Sequence, residues 1–464
     1  MSLRDRSWTV GPALLWFGGC LVVGLCVLDG GVQVLADRFT ARREAESAPV
    51  AGPAFTAPPV VVADGANEDS TAPAPSGPVP ANRAKVLALE DACVNGTAAD
   101  CKRWAMDGFY QAVRDAREHK LGRALRVSWY GDSVVATDAI PGRFRTLLQT
   151  ELGDGGPGFV YVVPPHRFCA NEAVTRTSGG AWFAHAISTT QVPDRLYGVG
   201  GSTVETTDGK ATIKLNAGTA SQVELYYLAQ PRGGAATITA NGKLVAKVAT
   251  RNAAKQAGYA MATIDGGATT FDIAAAGRVR LFGIDLENAS GAVVDNFGVV
   301  SVNVKSFDAN DPDHFKAELA HRSADLVIVM IGANEAQWLG PTDRDTKDYA
   351  ANYERLLAEI RSARPEAACL VVSPTDQAES KDGAYTSRAV MPVLITAQRN
   401  AAQSQGCAFY STYDWMGGKG SAAKWFRKGL VGTDFQHLSR KGSNKLSEAL
   451  FGTLMAGYQS YAAH

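Results

Sequence analysis

The stretch Val127-Ser128-Trp129-Tyr130-Gly131-Asp132-Ser133-Val134 decides how this chain is read. Val127, Trp129 and Tyr130 are strand formers, and they run into a small Gly followed by Asp-Ser. The pattern predicts a buried strand that ends in a tight turn. A serine on such a turn stands at the carboxyl edge of a sheet, where open α/β sheets place their ligands. Taken alone, Gly-Asp-Ser is too short to decide, and capping of the next helix by Asp132 and Ser133 is the simpler account.

Two distant stretches change that balance. Gly432-Thr433-Asp434-Phe435-Gln436-His437 puts a carboxylate three positions before an imidazole. A serine nucleophile needs a neighbouring base, and the base needs a third group that fixes its tautomer. Between them, the apolar run Val327-Ile328-Val329-Met330-Ile331 stops at Gly332-Ala333-Asn334-Glu335. It sets an amide donor at a second strand end, suited to a developing oxyanion.

In this order the three blocks resemble those of the SGNH (GDSL-type) hydrolase family. Gly131-Asp132-Ser133 matches the nucleophile block, Gly332-Ala333-Asn334-Glu335 the oxyanion-asparagine block, and Asp434-Phe435-Gln436-His437 the Asp-x-x-His block. The resemblance covers about residues 85–160 and 306–463. Within the family it is closest to cell-envelope carbohydrate esterases such as the peptidoglycan O-acetylesterases. Glu335-Ala336, the run Trp415-Met416-Gly417-Gly418-Lys419-Gly420-Ser421 and a long insert after the nucleophile block suggest that branch.

The resemblance implies a flavodoxin-like three-layer α/β sandwich with a parallel sheet. Its catalytic residues would be Ser133, His437 and Asp434. Asn334 and the backbone N–H groups of Ser133 and Ser301 would form the oxyanion hole. Aligned on Asp295 and Gly298, the glycine that the family places in that hole falls at Ser301, which is a departure. The serine keeps its backbone N–H but crowds the acyl group. The implied reaction removes an acyl group, acetyl above all, from a cell-envelope polysaccharide such as peptidoglycan, with no metal or organic cofactor. A polysaccharide O-acetyltransferase with the same triad and a non-catalytic glycan-binding protein are the alternatives.

Outward from these blocks, the chain divides by composition. Its 464 residues are 46% hydrophobic and 20% charged, globular in character and long enough for two or three domains. The formal net charge is +0, which gives no sign of nucleic-acid binding. Residues 1–36 hold the uncharged apolar run Trp8–Leu28 behind Arg4 and Arg6, the pattern of an inner-membrane anchor with the remainder in the periplasm. A cleaved signal peptide, with secretion, is the competing reading. Residues 37–82, rich in Ala, Pro, Ser and Glu, read as a linker. The hydrolase domain is expected over 83–160 and 293–464. It should open with helical spacing from Arg83 and have a later helix over about Ser387–Gln405.

Residues 161–292 read instead as short alternating strands, with the hairpin signal Asn241-Gly242, and predict an inserted β-sandwich. By the resemblance this insert is carbohydrate-binding-like. Trp182, Phe183, Tyr197, Tyr226 and Tyr227 are its candidate sugar-stacking aromatics, with sandwich core as the alternative. Cys93 and Cys101 bracket a short loop and are expected to pair after export. Cys369 and Cys407 either pair or simply pack. None of His119, His166, His185, His314, His321 and His464 has a carboxylate at short motif spacing in a strand-end context, and they read as surface or core histidines.

Overall fold

The computed structural model describes residues 85–463 apart from 87, 88, 98, 382 and 383. All of them belong to the compact unit Ala74–His464. The expected anchor at Trp8–Leu28 and the linker at 37–82 lie outside the described residues. Among the described residues no helix is long and apolar enough to cross a membrane.

Strand Leu125–Gly131 is buried almost throughout, as its apolar reading requires. It lies inside a seven-stranded sheet between Ala292–Gly298 and Leu326–Met330, parallel to both. Ala368–Val372 and Ala408–Tyr410 extend the parallel run beyond Leu326–Met330. In chain order the parallel strands therefore stand 2-1-3-4-5, the flavodoxin-like arrangement. The order reverses between strands Leu125–Gly131 and Leu326–Met330, so the crevice for a ligand opens where Ser133 and Asn334 leave the sheet.

Alternation along the strands sends side chains to two faces. Val127 and Trp129 pack with Phe109, Phe144 and Leu450. These come from helices Asp107–Arg117, Ala139–Leu152 and Arg440–Ala462. Tyr130, Val327 and Val329 face Phe315, Tyr353 and Leu394. Those belong to Pro312–Arg322, Asp343–Ala363 and Met391–Ser404. A sheet covered on both faces by helices is the three-layer α/β architecture.

Two local expectations are corrected. The helical spacing from Arg83 gives short antiparallel strands, Lys85–Val86 and Leu89–Glu90, on the edge beside Ala408–Tyr410. Helix begins only at Asp107. The edge of a sheet supplied hydrogen bonds that no local period reveals. The helix expected from Ser387 begins at Met391, with proline in its first turn. Ser387 instead ends the hairpin Ala378–Lys381 and Ala384–Ser387, where its hydroxyl donates to Asp376 at 2.8 Å.

Residues 158–287 build two antiparallel sheets around one apolar cluster that includes Ile213, Ile238, Leu225 and Ile284. Asn241 and Gly242 both take positive φ, 47° and 76°, as a tight hairpin demands. Gly158–Val160 pairs with Val279–Glu287, so these sheets begin a few residues before 161. They are tied to the α/β layers by a buried ion cluster. Arg322 donates to Asp295, Asp285 and Glu287, each at 2.7 Å. Ser128 donates to Asp295 at 2.9 Å, and Arg126 pairs with Glu287 at 2.7 Å. Breaking such a buried network strands charge in the interior, which fixes the two parts as one body. Cys93–Cys101 and Cys369–Cys407 are disulfides, and Cys169 is free and buried.

Candidate active site

Gly131 ends its strand with no room for a side chain, since a Cβ there would stand 2.2 Å from Val135. The chain turns at Asp132, and Ser133 opens a one-turn helix, Ser133–Ala136. Gly298 at the end of the neighbouring strand is equally tight, because a Cβ would come 2.3 Å from the Ala136 nitrogen. Two glycines thus let the nucleophile turn sit directly on the sheet edge.

Ser133 Oγ lies 2.8 Å from His437 Nε2, and His437 Nδ1 lies 2.7 Å from Asp434 Oδ2. Residues 304 positions apart are brought into one hydrogen-bonded chain. The Asp-x-x-His spacing works through a local turn. Asp434 Oδ1 accepts the backbone N–H groups of Gln436 and His437, both at 3.0 Å. Phe435 adopts φ 55°, an unusual conformation for a bulky residue, and is clamped between Tyr385 and Phe426. Burial opposes ionisation of Asp434. The two N–H groups and the imidazole outweigh it and hold the carboxyl below its ordinary value. The imidazole is 40% exposed and the carboxylate 51%, so the site is open to water.

Asn334 is half-buried at the end of strand Leu326–Met330. Its Nδ2 donates to Val302 O at 2.7 Å, tying the asparagine turn to the turn that holds Ser301. Ser301 is exposed and takes φ 65°. That left-handed conformation is the one in which glycine costs nothing and serine carries a penalty of roughly 1 kcal/mol. The backbone therefore keeps a glycine-like geometry at the position where the family has glycine.

The residues that stitch the turns together were not among the sequence-derived site residues. Asp132, read there as a helix cap, does cap the turn, accepting from Val134 N–H at 3.0 Å. Its second oxygen accepts from Ala333 N–H at 3.2 Å, joining the nucleophile and asparagine turns. Burial pushes its carboxyl up to about 6, against the pull of those N–H groups. Gln377 donates to Ala333 O at 2.9 Å, and Gln337 reaches Gln436 beside the histidine at 3.2 Å. Their only signal in the sequence was proximity to strand ends.

Glu335 is buried and accepts from Val304 N–H at 2.7 Å, while its other oxygen has no hydrogen-bond partner. Burial pushes its carboxyl up to about 7. A raised carboxyl is protonated more readily in the folded chain than in the unfolded one, so its ionisation costs stability as pH rises from about 4.5 to 7. Glu335→Gln keeps an acceptor for Val304 and removes the charge. The expected result is a gain of about 2–3 kcal/mol at alkaline pH and almost none at acidic pH, read by thermal melts of both proteins.

Of the candidate aromatics, Tyr197 and Tyr226 are wholly buried and belong to the core, which excludes them as sugar platforms. Adjacent strand residues face opposite ways, and Tyr226 was drawn inward against Phe159 and Tyr259. Phe183 is 64% exposed, and Trp182 and Tyr227 are half-buried. His314 Nε2 donates to the Tyr197 carbonyl at 2.8 Å, and His321 stacks on Tyr259 at 3.4 Å. Neither lies in the triad.

A strand-end serine, its histidine–aspartate chain and an amide at the switch point define a serine acyl-transfer site. The sequence model of the GDSL-like Lipase/Acylhydrolase family matches residues 263–444. That span holds Ser301, Asn334, Asp434 and His437, while Ser133 lies upstream of it. The family match and the fold agree with the resemblance of the α/β domain to SGNH (GDSL-type) hydrolases that the three blocks carry. Among solved structures, a peptidoglycan O-acetylesterase aligns at TM-score 0.66 and 23% identity, over 77% of this chain and 97% of that one. An acetylxylan esterase from Geobacillus stearothermophilus aligns at TM-score 0.26 and 19% identity, over 35% of this chain and 73% of that one. No curated protein matches the chain.

Proposed function

We propose that the chain is a serine esterase that removes acyl groups, chiefly O-acetyl, from a cell-envelope polysaccharide such as peptidoglycan. The observation that carries this reading is the Ser133–His437–Asp434 hydrogen-bonded chain, set beside Asn334 at the carboxyl edge of the sheet. His437 takes the proton from Ser133 as its oxygen attacks the ester carbonyl, and Asp434 steadies the imidazolium. Asn334 and the backbone N–H groups of Ser133 and Ser301 receive the oxyanion. The sugar hydroxyl leaves with the proton from His437, and water then releases acetate. The exposure of His437 favours water over a sugar as acceptor.

The likeness in fold to a peptidoglycan O-acetylesterase over nearly its whole length supports the substrate class. In this reading the two antiparallel sheets are a glycan-binding insert, with Phe183 and Trp182 as candidate stacking residues. The disulfides agree with an oxidising compartment, and Trp8–Leu28 would anchor the enzyme in the inner membrane with its active site in the periplasm.

The test is acetate release by the purified chain from an aryl acetate and from O-acetylated peptidoglycan. Release from both supports the proposal. Release from the aryl ester alone keeps the esterase and moves its natural substrate elsewhere. No release from either, by folded protein, overturns it. Asn334→Ala is expected to lower kcat by about 100-fold with a smaller change in KM, because an oxyanion donor acts in the transition state.

A further inference from the structure

A cavity of about 380 Å³ lies along the segment between Val162 and Ser178. Val162, Pro164, Arg167, Cys169, Asn171 and Arg176 are among its lining residues. Its wall is joined to the catalytic elements from two sides. Ala170 N–H donates to Ala136 O at 2.9 Å, at the end of the turn that Ser133 begins. Ala170 O accepts from Asn296 Nδ2 at 3.2 Å, two residues before Gly298 on the strand beside the serine strand.

The two guanidiniums that line this cavity have no carboxylate partner among the described residues. Arg176 is half-buried, and its guanidinium donates to the carbonyls of Tyr161 at 3.1 Å and Cys169 at 2.8 Å. It has no ion-pair partner among the described residues. The nearby carboxylate of Asp138 is taken by Arg145 at 3.0 Å. Arg167 is exposed, lies over the Phe168 ring at 4.7 Å and also has no ion-pair partner among the described residues. Asn171 is 7% exposed, and its Nδ2 has no hydrogen-bond acceptor. Two guanidiniums without a counter-charge on one cavity, one of them half-buried, favour an anion there. Their planar forks fit a carboxylate.

We infer that this cavity is a subsite for a carboxylate carried on the acylated sugar. The inference rests on the proposed function and narrows its substrate to an acidic glycan. The subsite holds the carboxylate while Ser133 meets the ester, so binding of the acid group positions the acyl group for attack.

Binding is read on the full chain carrying Ser133→Ala, by NMR titration with N-acetylmuramic acid, its carboxyl-amidated derivative and inorganic phosphate. The acid is expected to bind about tenfold more tightly than the amide. Adding Arg167→Ala should erase most of that difference. Arg167 holds no hydrogen bond or ion pair among the described residues, so the substitution does not endanger the fold. Equal binding of acid and amide, or an acid preference indifferent to Arg167→Ala, overturns the subsite. Phosphate that displaces the acid at lower concentration overturns its assignment to a carboxylate. Acetate release by the unsubstituted chain tests the esterase separately, because the binding measurement needs no turnover. Where it does turn over, its kcat/KM ratio for acidic over amidated O-acetyl sugar should fall about tenfold in Arg167→Ala.

Discussion

Ser133→Ala is expected to lower kcat/KM for ester hydrolysis by about 10⁴- to 10⁶-fold. The serine oxygen is the atom that would form the acyl-enzyme, and its bond to His437 at 2.8 Å is what makes it nucleophilic. The side chain is half-buried at the first position of a one-turn helix, and among the described residues only His437 hydrogen-bonds to its oxygen. Its removal leaves Asp132 to cap the turn, so the melting temperature should stay close to that of the parent chain. Paired assays of turnover and thermal unfolding check both halves. A variant that keeps more than a few per cent of its activity would show that the ester is attacked by something else.

Asp434→Asn is the second large effect, about 10³- to 10⁴-fold in kcat. The carboxylate serves two ends. Oδ2 fixes the His437 tautomer at 2.7 Å, and Oδ1 gathers the N–H groups of Gln436 and His437. Asparagine retains one acceptor oxygen and cannot satisfy both. If the oxygen keeps the turn, the amide presents N–H to Nδ1 and favours the wrong tautomer. Asp434 is half-exposed, so water restores part of the lost stabilisation, and the loss should be smaller than for Ser133→Ala. The same residual rate in Asp434→Asn and Ser133→Ala would show that the aspartate has no less a part than the nucleophile. A fall below tenfold would show that the histidine is oriented by other contacts.

Several elements were legible because their signal is local. Val127–Tyr130 and Val327–Ile331 are apolar runs of strand length, and both became central parallel strands covered on each face. Asn241-Gly242 specified its hairpin through two residues that tolerate positive φ. The triad was legible because each member belongs to a short block whose turn is made within itself, as Asp434 shows with its own two N–H acceptances.

Other features lay beyond any local pattern. Lys85–Val86 and Leu89–Glu90 took strand form from a distant edge rather than from their own spacing. Tyr226 and Tyr227 are indistinguishable in sequence, and sheet register alone buried the first fully and the second only partly. Asp132, Glu335 and Gln377 are ordinary polar residues until folding sets them against Ala333 and Val304.

The sequence by itself determined the three blocks, their order and therefore the chemistry available at the strand ends, since strand, turn and Asp-x-x-His geometry are all written over a few consecutive residues. Only the tertiary structure decided that the blocks meet, that Ser301 holds a left-handed turn tied to Asn334 through Val302, and that Arg167, Arg176 and Asn171 share one cavity. The reason is physical: these are contacts between residues far apart in the chain, and their geometry comes from parallel strand pairing and the packing of both faces, which no short stretch encodes.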